Sequence, residues 1–279
     1  MVGETILLTG ATSGIGRATA LALAPRTRRL LVHGPEPAGH AVVTALLADL
    51  RALAATGATV AYLPADYTRL ADVARLAGQV TEAAGSEGVD VIVNNAGLPG
   101  PPSRTVTADA NEVTLQVDHL APVALASLLI EAGARRVVNV ASATHLSATL
   151  DLDDLDLRHG YSPVAAYARA KLALVTHSCW LASHVGPDVE VVSVHPGVVA
   201  TDLLHAMFSI GGTDPDRAAR TLVEVAGQAA DNGTYYDETR PADPHPLARD
   251  PGFQRRLAAA TAERLERAGI RVAPGPTGR

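Results

Sequence analysis

Short apolar runs rich in β-branched residues alternate with alanine-rich stretches of helical length along almost all of this 279-residue chain. The runs fall at 5–9, 29–33, 59–64, 89–94, 136–141, 190–195 and 234–236. The helical stretches fall at 14–24, 40–55, 70–84, 111–131, 165–184, 214–229 and 250–268. Strands that are apolar at nearly every position are buried on both faces, which a parallel sheet covered by helices achieves. Parallel neighbours need crossovers, and crossovers are right-handed. The alternation therefore predicts a doubly wound, Rossmann-like α/β fold of about seven strands. No linker or repeat interrupts it. Residues 1–272 read as one domain, and 273–279, rich in Pro and Gly, as a frayed tail.

Composition narrows the function. With 47% apolar and 19% charged residues the chain can fill an ordinary core. A formal charge of −6 leaves no basic surface that would call for nucleic acid or an anionic membrane. Cys179 is the single cysteine, which excludes an internal disulfide and a cysteine metal cluster. No run of 18 apolar residues and no N-terminal leader is evident, so the expectation is a cytoplasmic protein with no metal.

The chemistry gathers where strands end. Thr9-Gly-Ala-Thr-Ser-Gly-Ile-Gly16 follows the first strand and opens the first helix. Gly10 suits a tight turn, Gly14 lets a backbone approach a pyrophosphate, and Gly16 allows close helix–strand packing. The helix N-terminus then offers free N–H groups to an anion. Asn94-Asn-Ala-Gly97 ends the fourth strand and Ser142 the fifth, at the rim where open α/β sheets bind ligands. Lys171, the sole lysine, stands four residues after Tyr167, on one helix face. A compact cation beside a phenol can lower its pKa from about 10 towards neutrality. The two read as an acid/base pair, with a surface tyrosine and a solvated lysine as the bland alternative.

Together these motifs resemble the short-chain dehydrogenase/reductase family, closely over residues 4–202. The resemblance implies Ser142, Tyr167 and Lys171 as catalytic residues. It implies a dinucleotide held by Gly10, Thr12, Ser13, Gly14, Ile15, Gly16 and Arg17, by His33 at the second strand's end, and by Asn94, Ala96 and Gly97. Tyr167 and Lys171 would also touch it. Asp66 matches the acid that meets adenine, although it could equally cap the helix starting at Leu70. His195-Pro-Gly-Val-Val-Ala-Thr201 resembles the family's P-G turn, which implies Pro196, Gly197, Val199 and Thr201 at the nicotinamide end.

A narrower likeness is to the retinol-dehydrogenase and carbonyl-reductase branch. Ser142 and Tyr167 lie 25 positions apart, wider than the family's usual spacing. The added stretch carries Asp151-Leu-Asp-Asp-Leu-Asp-Leu157, whose acids are expected to be solvated. Tyr161 lacks a lysine four residues on and is assigned to the substrate mouth with Ser142, His145, Leu203 and Met207. One departure stands out: Asp118 occupies the place of the family's asparagine, counted among the catalytic residues, which helps relay protons from the lysine. An aspartate near Lys171 would pair with the ammonium and weaken its effect on Tyr167.

The cofactor expected is NADP or, failing that, NAD. At the second strand's end Gly34 replaces the acid that would meet ribose hydroxyls, and Pro35 replaces a 2′-phosphate-binding arginine. Glu36 is expected to face solvent, and Arg17 to reach a 2′-phosphate. The reading is hydride transfer between nicotinamide and the carbonyl or alcohol of a small hydrophobic molecule, with a homodimer as the candidate assembly. The alternatives are a non-catalytic NAD(P)-binding regulator and an epimerase or dehydratase on the same fold.

Overall fold

The structure, a computed structural model, describes residues 4–199 and 213–272. An eight-stranded sheet runs in the order β3-β2-β1-β4-β5-β6-β7-β8. Its strands are β1 (Thr5–Leu8), β2 (Arg29–Gly34), β3 (Thr59–Pro64), β4 (Val91–Asn94), β5 (Arg136–Val140), β6 (Glu190–His195), β7 (Tyr235–Asp237) and β8 (Arg240–Ala242). All neighbours are parallel except β7 and β8. β8 escapes a hydropathy reading because Arg240-Pro-Ala242 is short and polar. Its proline is tolerated because the strand forms the sheet edge.

The helices are α1 (Gly14–Leu23), α2 (Ala41–Leu53), α3 (Leu70–Ala84), α4 (Val113–Glu131), α5 (Pro163–Ala182), α6 (Pro215–Gly227), α7 (Pro246–Arg249) and α8 (Pro251–Arg267). Side chains alternate across the strands into two cores. Leu7, Leu31, Ile92, Val137 and Val191 face α3 and α4. Ile6, Leu8, Val32, Val93, Val138 and Val192 face α1, α2 and α6. Both faces are therefore dry, as near-continuous apolar strands require. α4 has the length and hydropathy of a membrane span, but most of it is buried in the protein, where it serves as a core helix.

The order reverses at β1, whose neighbours are β2 and β4, and the C-terminal ends of these strands open the crevice where such sheets bind ligands. α4 contains a π-turn at Gln116–Leu120 that carries Asp118. Such turns favour functional sites.

The acidic insert does not behave as a solvated loop. Leu150, Leu155 and Leu157 are buried, and the first two pack with Leu172 of α5 and Leu257 of α8. Asp156 is buried with them. Its Oδ1 accepts the Glu112 N–H at 3.0 Å and its Oδ2 pairs with Arg264 at 3.1 Å. Asp151 and Asp153 stay exposed, as expected of acids in water.

Candidate active site

A cavity of about 600 Å³ spans the C-terminal ends of β1, β2, β4, β5 and β6. One end is the turn from β1 into α1. Thr9 anchors it: the Thr9 hydroxyl accepts the N–H groups of Asn95 and Ala96, each at 3.0 Å, and Asn95 Nδ2 donates to Thr9 O at 2.9 Å and Gly10 O at 3.2 Å. Packing leaves no room for side chains there. A Cβ on Gly16 would lie 1.9 Å from Gly10 O, and one on Gly10 would lie 2.7 Å from the Ala96 Cα. Ser13 caps α1 without spending its hydroxyl on the helix, and the first turn holds no acidic residue. Free N–H groups thus face the cavity, an arrangement that suits a pyrophosphate.

His33 plugs the floor below this turn. Its Nε2 donates to Ala65 O at 3.0 Å, so its Nδ1 is the acceptor for the Gly10 N–H at 3.4 Å. The ring stacks on Tyr67, centroids 4.6 Å apart. Burial lowers its pKa to about 4, so it is neutral at physiological pH. Thr12, Ser13, Gly14, Ile15, Asp66, Ala96 and Gly97 also line the cavity. Asp66 does not cap the helix at Leu70: its Oδ1 accepts from Thr68 N at 2.9 Å and Thr68 Oγ1 at 2.8 Å, while the Leu70 N–H donates to Asp109 Oδ2 at 2.8 Å.

Two expectations at this end need correction. Arg17 is not in the cavity wall: it turns along α1 and pairs with Asp49 of α2 at 2.5 Å. Glu36 is not turned to solvent. It lines the cavity, and its Oε2 sits where a Cβ on Gly34 would be 2.8 Å away, beside Thr12 and the Tyr62 hydroxyl. The missing side chain of Gly34 makes the space that the Glu36 carboxylate fills. Sequence position alone puts Glu36 beyond the strand, and only the bend at Pro35 brings it back.

At the other end Ser142, Tyr167 and Lys171 converge. Ser142 follows β5 and caps a short 3-10 turn, its Oγ accepting from Thr144 N at 3.3 Å and Thr144 Oγ1 at 3.1 Å. Lys171 Nζ lies 5.4 Å from the centre of the Tyr167 ring, donates to Val140 O at 3.1 Å and pairs with Asp118 Oδ2 at 3.1 Å. Asp118 Oδ1 accepts the Leu98 N–H at 2.9 Å. A Cβ on Gly97 would come within 2.9 Å of Asp118 Oδ2, so Gly97 is needed beside the ion pair.

The phenol is not drawn towards neutrality. Burial pushes Tyr167 above its ordinary pKa; Lys171 and the hydrogen bond with Ser142 oppose this, and Asp118 adds to it. Burial works against the Lys171 charge, but Asp118 and Tyr167 outweigh it and hold the ammonium above the usual lysine value. Burial also raises Asp118, against the pull of Lys171 and the Leu98 N–H.

Other residues fall away from the cavity. Asn94 is buried and ties the strands together: its Nδ2 donates to Asn139 Oδ1 at 2.8 Å. The adjacent Asn95 lines the cavity instead, because successive residues of an extended chain point to opposite sides. His145 is fully buried, held by Ser142 O at 2.7 Å and packed on Tyr235, so it cannot touch a substrate in the cavity. Tyr161 is not in the cavity wall either; its hydroxyl donates to Pro101 O at 2.7 Å, fastening the 98–103 loop to the segment before α5. Pro196, Gly197 and Val199 do line the Tyr167 end, with Gly197 at φ +96°. Thr201, Leu203 and Met207 lie outside the described residues. Val117, Val140, Ala141 and Thr144 are also in the wall; as ordinary apolar or turn residues they carry no sequence signal.

Comparisons with known proteins show the family. Residues 4–209 match the family model for short chain dehydrogenases. The chain is similar to human retinol dehydrogenase 13, 31% identical with 98% of this chain and 88% of that protein covered. It is 36% identical to polyprenol dehydrogenase from Mus musculus, covering 92% and 82%. Among solved structures, a short chain dehydrogenase from Burkholderia cenocepacia J2315 in complex with NADP superposes with a TM-score of 0.67 at 26% identity, over 85% of this chain and 97% of that one.

Proposed function

Since the chain belongs to the short-chain dehydrogenase/reductase family, within its retinol-dehydrogenase branch, and is an oxidoreductase of that family, we propose that it reduces the carbonyl of a small hydrophobic molecule with NADPH or NADH. The observation that carries this reading is the convergence of Ser142, Tyr167 and Lys171 at one end of a cavity whose other end is the glycine turn of α1.

The residues fit a nicotinamide dinucleotide. The crowding at Gly10 and Gly16 and the unspent N-terminus of α1 leave a backbone-lined cradle for the pyrophosphate. Pro196–Val199 wall the Tyr167 end, where the nicotinamide would lie. Bound there, the cofactor supplies the hydride. Tyr167 gives its proton to the developing alkoxide as general acid. Ser142 turns its O–H towards the same oxygen and stabilises the charge. Lys171 holds the phenol's electrostatic balance. Support for an apolar substrate comes from Val198 in the cavity wall and Val164, one turn before Tyr167, both exposed. The two relatives, named for retinol and polyprenol, point the same way.

The test is NADPH and NADH oxidation by the purified protein with a panel of apolar ketones and aldehydes. Stoichiometric consumption of the reduced cofactor is expected, which separates reduction from an epimerase or dehydratase that recycles it. Tyr167→Phe is expected to lower turnover by about 10²–10⁴-fold, the usual worth of a general acid, with cofactor affinity within a few-fold of the parent. Turnover near the parent level in that variant would reject Tyr167 as the acid.

A further inference from the structure

Asp118 is left without a task by hydride transfer alone, yet it is fully buried at the heart of the site. It stands in the π-turn of α4, where Oδ2 meets Lys171 Nζ at 3.1 Å and Oδ1 takes the Leu98 N–H at 2.9 Å. The same ammonium lies 5.4 Å from the centre of the Tyr167 ring. One cation is thus shared between a carboxylate and a phenol. Among the described residues, the other elements here offer little that could change the balance. β5 contributes the Val140 carbonyl, and the loop after β4 contributes a backbone N–H. Glu112, at the start of α4, feels Asp118, but its carboxylate is spent on the N–H groups of Thr114 and Leu115.

We propose that Asp118 is a positioning residue that sets the Tyr167–Lys171 pair for reduction: its carboxylate takes up the Lys171 charge, so the phenol keeps its proton as a ready general acid. The inference rests on the hydride-transfer reading above. In the reducing direction the carbonyl carbon gains a hydride with its electron pair, and the C=O π pair moves to oxygen. That oxygen then takes the Tyr167 proton, leaving phenolate. A phenol that releases its proton too early is useless as an acid, and a neighbouring negative charge delays that release. In the oxidising direction the phenolate is the base, and the same carboxylate is a handicap below the phenol's pKa. The contributions already described agree in sign: Asp118 raises both Tyr167 and Lys171.

The experiment is an ultraviolet titration of tyrosinate in the full-length protein, read as the difference between each protein and its Tyr167→Phe counterpart. Asp118→Asn, and Asp118→Ser as a second neutral variant, are expected to move the Tyr167 titration down by about one pH unit or more, the size of a nearby-charge effect. Asp118→Glu, which keeps the charge, is expected to restore the titration towards the parent position. The alkaline limb of ketone reduction should follow the titration downward in the neutral variants. A Tyr167 titration that stays in place in both neutral variants overturns the proposal. So does a uniform loss of turnover at every pH with no movement of the titration, which would mark Asp118 as a structural strut. Failure of the hydride-transfer reading looks different: the parent oxidises no reduced cofactor with any carbonyl, whatever the titration shows.

Discussion

The two ends of the cavity handle charge in opposite ways. At the Tyr167 end a lysine and an aspartate are buried together, 3.1 Å apart, and each limits what the other can do. At the Gly10–Glu36 end the wall includes backbone N–H groups, a neutral histidine and the carboxylates of Glu36 and Asp66, while Arg17 pairs with Asp49 on the outer surface. Among the described residues that line the cavity, Lys171 is the one permanent cation. The difference teaches where charge is worth building in. Buried charge tunes a proton, whereas neutral dipoles bind an anion without the desolvation cost of a buried cation.

The comparison breaks most visibly at Lys171. Lys171→Met would strand the Asp118 carboxylate in the interior, and removing one partner of a buried pair costs about 3–5 kcal/mol. A clear drop in the denaturant midpoint at neutral pH is expected, along with loss of hydride transfer. Adding Asp118→Leu should recover most of the stability and none of the activity. A single variant as stable as the parent would show that Asp118 is not charged in the fold.

His33 tests the other end through pH. Its pKa is about 4 in the fold, below the ordinary 6.5, so the unfolded chain binds the proton first. Its contribution is therefore complete above about pH 6.5 and is lost as pH falls towards 4, a change on the order of 3 kcal/mol. Denaturation at pH 7 and at pH 4.5 is expected to show a smaller difference in His33→Asn than in the parent. Equal differences would mean that His33 is not the buried neutral group described.

The smallest effect concerns the nucleotide. Glu36→Arg replaces a carboxylate in the wall by a cation and is expected to raise affinity for NADPH relative to NADH by a few-fold to about tenfold, as befits a half-exposed charge. Arg17→Ala should leave that ratio unchanged and cost less than about 1 kcal/mol of stability, as for other surface ion pairs. Direct binding, followed by cofactor fluorescence, checks both. A ratio that responds to Arg17 and not to Glu36 would reverse the assignment.

The fold was legible because parallel strands buried on both faces leave an apolar record at nearly every position, from Ile6 to Val194. The glycine turn and the Ser142, Tyr167 and Lys171 positions were legible because their chemistry restricts residue type. What escaped depended on direction rather than identity. Glu36 and Arg17 differ from expectation only in where their side chains point, which a bend at Pro35 and a partner on α2 decide. Asn94 and Asn95 exchange roles because strand alternation assigns one inward and one to the rim. His145 looked available because it follows Ser142 closely, but the 3-10 turn rotates it into the core. Asp156 looked solvated among its acidic neighbours, and only its partners Glu112 and Arg264, far away in sequence, draw it inside.

That last clasp has a consequence for the timing of assembly. Asp156 joins the start of α4 to Arg264, and His119, next to Asp118, is bonded through Nε2 to Thr261 Oγ1 at 2.9 Å. Both ties run to α8, which follows every strand of the sheet in the chain. A nascent chain can form β1 to β6 early, since domains assemble from the N-terminus as they emerge. The ties from α8 to the helix carrying Asp118 are complete only after residue 264 has left the ribosome. Premature termination just short of that point would thus spare most of the sheet while leaving the proton-handling helix unclasped, so a shortened product could still hold nucleotide yet turn over poorly.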